Sequence, residues 1–184
     1  MFHGSMVALV TPMHLDGALD TAALRRLVDF HIDNGTTAII AVGTTGESPT
    51  LDMQEHCEVI RLAVEYARGR VPVIAGTGSN STFEAIELTQ CAQETGAQAC
   101  LLVTPYYNKP TQEGLYRHFK AISDAVDLPI LIYNVPPRTI VDISVATLAR
   151  CSELKNVVGI KDATANVARV TQQRLACGKD FVQL

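Results

Sequence analysis

The stretch "NVVGIKDAT", residues 156–164, places a short apolar run, Val157–Ile160, directly before Lys161. An apolar run this short, with no polar alternation, reads as a strand covered on both faces, the kind a parallel sheet buries. Such a strand delivers an ammonium group to its own C-terminal end, although lysine is among the residues least often buried without a partner.

Similar runs recur along the chain: Met6–Val10, Ala38–Val42, Val71–Ala75, Ala99–Val103, Ile130–Tyr133 and Phe181–Leu184. Helical patterns lie between them. Thr21–Asn34 sets Leu24, Leu27, Val28 and Ile32 on one stripe, and Gln54–Arg68 does so with Val59, Ile60, Ala63, Val64 and Ala67. "DMQE" (Asp52, Glu55) and "STFE" (Ser81, Glu84) resemble capping boxes. Thr111–Val126, Ser144–Arg150 and Asn166–Ala176 are further helices. Strand and helix alternate with a unit of about thirty residues, the βαβ signature of a parallel sheet with right-handed crossovers.

Two architectures satisfy this pattern, a (β/α)8 barrel and an open doubly wound sheet. No G-x-G-x-x-G follows the first run, and the regular unit favours the barrel. The chain supplies six βα units and the start of a seventh strand, whereas a whole barrel takes about 250 residues. Residues 1–184 are therefore expected to be the N-terminal portion of a single barrel domain, incomplete here.

Composition narrows the function. Apolar residues make up 47% and charged residues 18%, and the net charge is −4 with no basic run, so nucleic acid is not an expected partner. No apolar stretch reaches the roughly eighteen residues of a membrane helix. The five cysteines are odd in number and widely spaced, which suits a reduced, cytoplasmic setting. The five histidines have no metal-ligand spacing, and no metal is expected.

In a barrel, chemistry gathers where strands end. "GTTGES" (43–48) follows the second run, and its amides could converge on an anion, although short Gly/Thr turns are also common connectors. "TPYYNKP" puts Tyr106 and Tyr107 side by side after the fourth run. "YNVPPRT" carries Tyr133 and, beyond two stiffening prolines, Arg138, a suitable grip for a carboxylate. Lys161 has two readings from position alone. It is a rim lysine that snorkels or pairs with Asp162 or Glu47, or it is a desolvated amine able to attack a carbonyl, with Tyr133 moving protons beside it.

Taken together, "GTTGES", "VTPYYNKP", "EGLYRHFKAI", "ILIYNVPPRT" and "VVGIKDAT" resemble the dihydrodipicolinate synthase family, in order and spacing, from Met1 to Leu184. The resemblance implies a (β/α)8 barrel followed by a helical tail. It implies a lyase of the Schiff-base aldolase superfamily that condenses pyruvate with aspartate 4-semialdehyde to 4-hydroxy-tetrahydrodipicolinate, in lysine and diaminopimelate biosynthesis. Lys161 matches the Schiff-base lysine, Tyr133 the proton-relaying tyrosine, and Thr44 its link to a second tyrosine. Tyr107 matches that second tyrosine, supplied across a tight dimer within a homotetramer. Thr45 matches the pyruvate-carboxylate contact and Arg138 the residue that receives the aldehyde. No cofactor is implied, since the imine itself accepts the electrons. Ser48, His56, Asn80, Glu84 and Tyr106 match a lysine-effector site. Met53 and Pro49 depart from it, so feedback by lysine is expected to be weak.

Two alternatives stand beside this one. A sister enzyme such as N-acetylneuraminate lyase shares the lysine and tyrosine, and Tyr107 and Arg138 argue against it. A fragment that binds or misfolds without catalysing is the other.

Overall fold

A computed structural model describes residues 2–184. Seven strands form one parallel sheet in the order β1 (Met6–Ala8), β2 (Ala38–Ala41), β3 (Val73–Gly76), β4 (Ala99–Val103), β5 (Ile130–Asn134), β6 (Val157–Asp162) and β7 (Val182–Gln183). Every neighbour is also the next strand in sequence, and every pairing is parallel. The sheet curls into an incomplete barrel. The helices α1 (Thr21–Asp33), α2 (Met53–Ala67), α3 (Thr82–Glu94), α4 (Gln112–Ala125), α5 (Pro136–Thr139), α6 (Val145–Ser152) and α7 (Ala168–Cys177) connect the strands.

Strand side chains alternate between the two faces with period two. Ile39, Ala41, Val73, Ala75, Cys100, Leu102, Ile130 and Ile132 pack outward against the helices, with Val28, Ile60, Phe119 and Leu148 facing them. Ile40, Ile74, Leu101, Leu131 and Tyr133 turn inward and meet Phe2 and Val182 in the barrel lumen. Both layers are apolar, which is why the strands read as unbroken runs. Gly159 faces the lumen opposite Leu131; a Cβ there would stand 2.8 Å from Leu131 Cδ2 and 2.6 Å from Val182.

The elements shift by a few residues from the sequence reading. β3 begins after Pro72, which has no amide to donate to the ladder. β6 extends through Lys161 and Asp162, because both pair with the end of β5. Arg138 lies on α5, a single helical turn that the two prolines open, and not on a loop. The capping box at Asp52 is complete. At Ser81 only half forms: the Glu84 carboxylate accepts from Ser79 Oγ at 2.6 Å instead.

The cysteines also differ from expectation. The adjacent helices α2 and α3 bring Cys57 and Cys91, 34 residues apart, together as a disulfide, while Cys100, Cys151 and Cys177 are free. Sequence spacing alone does not reveal which helix faces meet. No helix among the described residues is long and apolar enough to cross a membrane. Among them, no cluster of His, Cys, Asp or Glu could hold a metal ion.

His118, on α4, is 5% exposed, and its Nδ1 lies 2.8 Å from Thr82 Oγ1, while its Nε2 has no partner among the described residues. Burial pushes its pKa down to about 4. The unfolded chain then binds this proton more readily than the folded one, so the contribution to stability is full above about pH 6.5 and is lost as pH falls towards 4. Urea unfolding should show about 2 kcal/mol of histidine-dependent loss between about pH 7.5 and about pH 5. His118→Gln should flatten that slope; an unchanged slope would show that His118 takes up its proton equally in the folded and unfolded states.

Candidate active site

The C-terminal ends of the strands converge on a cavity of about 250 Å³. Its walls include Thr44, Ser48, Tyr106, Tyr133, Val135 and Arg138. The floor depends on a close backbone approach. Val42, at the end of β2, has φ +48°, an uncommon conformation for a β-branched residue. Val42 O and Val42 C lie 2.4 and 2.8 Å from the place a Cβ on Gly76 would occupy, so only glycine fits. The Thr44–Gly46 turn that follows is closed by Gly46 N donating to Gly43 O at 2.9 Å. It is tied to the chain after β1 by Thr11 Oγ1 donating to Gly46 O at 2.6 Å.

Tyr133 and Lys161 are register partners on neighbouring strands, so both point into the lumen. The Lys161 Nζ sits 4.3 Å from the centroid of the Tyr133 ring. Tyr133 is 8% exposed and lines the cavity; Lys161 is half-buried and stands outside the cavity wall, against that tyrosine. Burial lowers the lysine's pKa, since the charged form loses hydration. An amine poised this way is more often neutral and can attack a carbonyl.

The other expected residues divide. Thr44 and Arg138 are exposed at the cavity mouth. Thr45 is exposed and outside the cavity wall, and among the described residues no hydrogen bond joins the Thr44 hydroxyl to Tyr133. Tyr107 is 87% exposed with φ +67° and does not reach the cavity of its own chain.

A smaller hollow of about 120 Å³ adjoins the first and shares Ser48, Pro49, Gly78 and Tyr106 with it. It brings together Ser48, Met53, His56, Glu84 and Tyr106. Asn80 stands outside its wall, with its carbonyl accepting from Asn108 Nδ2 at 2.8 Å. His56 is buried, its Nε2 lies 2.8 Å from Gly76 O, and burial lowers its pKa.

Sequence reasoning missed Val42 and the buried residues Asn134 and Thr139. Only Asn134 had a signal, as a polar residue directly after the Ile130–Tyr133 run.

The fold and site define an incomplete α/β barrel with a cavity at the C-terminal ends of its strands. The chain is 66% identical over 178 residues to the 4-hydroxy-tetrahydrodipicolinate synthase of Nitrosococcus oceani, covering 97% of this chain and 61% of that protein. The dihydrodipicolinate synthase of Aquifex aeolicus superposes with a TM-score of 0.97 at 53% identity, over 100% of this chain and 62% of the other. The chloride-inhibited enzyme from Acinetobacter baumannii, in complex with pyruvate, gives 0.96 at 56% identity, over 98% and 62%. The family model of the dihydrodipicolinate synthetase family matches residues 1–184, and the chain belongs to that family. It spans about three-fifths of the length of these relatives.

Proposed function

We propose that the protein condenses pyruvate with aspartate 4-semialdehyde to 4-hydroxy-tetrahydrodipicolinate, through an imine on Lys161. The observation that carries this reading is the half-buried Lys161 amine, held over Tyr133 beside a cavity with Arg138 at its mouth.

The Lys161 amine attacks the ketone carbon of pyruvate, and loss of water leaves an iminium. The iminium draws electrons from the methyl carbon, which gives up a proton and becomes an enamine. That carbon bonds to the aldehyde carbon of the semialdehyde. The product's own amine then attacks the iminium carbon, closes the ring and releases Lys161. Tyr133 carries protons to and from the carbinolamine, Thr44 links it to a second tyrosine, and Thr45 holds the pyruvate carboxylate. The electron sink is the iminium itself, so the reaction requires neither a metal nor an organic cofactor. Tyr107, exposed in one chain, serves the site of a second copy in a tight dimer of a homotetramer. Lysine would be a weak effector at the smaller hollow, because Met53 offers only a thioether there. The setting is cytoplasmic.

The direct test supplies pyruvate with aspartate 4-semialdehyde, and separately with sialic acid for cleavage. Condensation without sialic acid cleavage is expected; the reverse would assign the protein to a sister reaction. Arg138 sharpens the test. If it grips the second substrate's carboxylate, Arg138→Ala removes a charge-assisted pair and should lower kcat/KM for the semialdehyde about a hundredfold. The pyruvate KM should move far less. Equal effects on both substrates would remove Arg138 from this role.

A further inference from the structure

Tyr133 and Lys161 occupy the lumen face of β5 and β6. The next residues, Asn134 and Asp162, are also register partners and so face the helix layer. Asn134 is completely buried. Its Nδ2 donates to Asp142 Oδ1 at 2.8 Å, its Oδ1 accepts from Ile143 N at 3.2 Å, and its carbonyl accepts from Ala163 N at 2.8 Å. Asp162 accepts from Arg169 Nε at 2.8 Å, from Thr164 N at 3.1 Å and from Gln173 Nε2. The Arg169 side chain, 10% exposed, also donates Nη2 to Ile143 O at 2.7 Å and places Nη1 3.4 Å from Asp142 Oδ1. One guanidinium on α7 thus joins the end of β6 to the segment after α5, and through Asp142 to the end of β5.

The backbone ladder here leaves something for that link to do. The β5–β6 pairing carries an irregularity: Ile130 pairs with Val157, but Leu131 pairs with Gly159. A bulge disrupts the ladder locally, and a one-residue shift beyond it would turn Lys161 out of the lumen and Asp162 into it. Pairing Asp162 from the helix side pins the register beyond the bulge. It also keeps that carboxylate on the face opposite the amine, where it cannot pair with Lys161.

We propose that Arg169 is a positioning residue: with Asp162, Asp142 and Asn134 it locks the ends of β5 and β6 together and holds the Lys161 amine over Tyr133. This rests on Lys161 forming the imine with pyruvate, and the test separates the two ideas. The readout is the rate at which pyruvate and borohydride add mass to Lys161 at saturating pyruvate, alongside the half-saturating pyruvate concentration and the melting temperature. Arg169→Met should slow trapping at least about tenfold, the scale of a misplaced reactive group, with half-saturation nearly unchanged. Arg169→Lys can still pair with Asp162 but cannot also reach the Ile143 carbonyl, and should recover part of the rate. Val28→Ala, which opens a cavity under α1, should lower the melting temperature and leave trapping as it was. If Arg169→Met does not fold, Asp162→Asn keeps the shape, removes the charge, and should still slow trapping. Wild-type trapping rates in folded Arg169→Met or Asp162→Asn would overturn the proposal. A wild-type protein that takes no adduct at Lys161 would overturn the imine reading itself.

Discussion

Lys161→Arg should lose the borohydride-trapped pyruvate adduct completely, and condensation should fall by at least about a thousandfold, as expected when a covalent nucleophile is removed. A guanidinium stays protonated at any working pH, so it keeps the positive charge and much of the length but offers no lone pair. Wild-type protein should carry the adduct at Lys161 alone. The neighbouring groups explain the choice of lysine. Lys155 is exposed and paired with Asp127, and Lys120 is exposed and paired with Asp124, so both point into solvent and away from the lumen. Lys161 alone pairs with the end of β5, against an aromatic face, with burial lowering its pKa. Mass spectrometry of peptides after reduction decides the matter, and adduct on another lysine would remove Lys161 from the chemistry.

Gly76→Ala should be strongly destabilising. The added carbon would meet Val42 O at 2.4 Å, Val42 C at 2.8 Å and Gly43 Cα at 2.9 Å. All three are backbone atoms, so no side chain can swing aside. Relief requires moving the end of β2 away from β3, which costs about 3 kcal/mol on the overpacking scale and lowers Tm by about 8 °C in a chain this size. The same movement displaces the Thr44–Gly46 turn, so pyruvate binding should weaken in the protein that remains folded. Thermal unfolding together with pyruvate titration checks both effects. A variant with unchanged Tm would mean that the left-handed Val42 relaxes at little cost.

The strands were legible in the sequence because both faces of a parallel sheet are buried, leaving apolar runs such as Ala38–Val42 and Ile130–Tyr133 with little else to be. Lys161, Tyr133 and Arg138 were legible because each is an unlike residue set at the end of such a run. What sequence could not supply was the pairing that acts across long separations. Asp162 belongs to β6 because Asn134 lies opposite, and Arg169 matters because α7 returns over Asp162. On its own helix Arg169 looks like any solvated cation. The meeting of Cys57 with Cys91 is equally invisible, since it depends on how α2 lies against α3. Thr45, Tyr107 and Asn80 stand apart from the cavities of this chain, and nothing in their local sequence distinguishes them from Thr44 and Tyr106, which line a cavity wall.

Because all seven strands run the same way, the molecule has two ends with separate tolerances to change. The Thr44–Gly46 turn, the 104–111 segment, α5 and the 163–167 segment all leave the strands at the end that carries the cavity. Residues 34–37, 68–72, 95–98 and 126–129 return the chain at the other end. Extra residues inserted into 95–98 would lengthen a connection remote from Lys161, whereas the same insertion at 135–138 would move Arg138 directly. New specificity can therefore be acquired by lengthening or rewriting one set of loops while the other set continues to hold the barrel together.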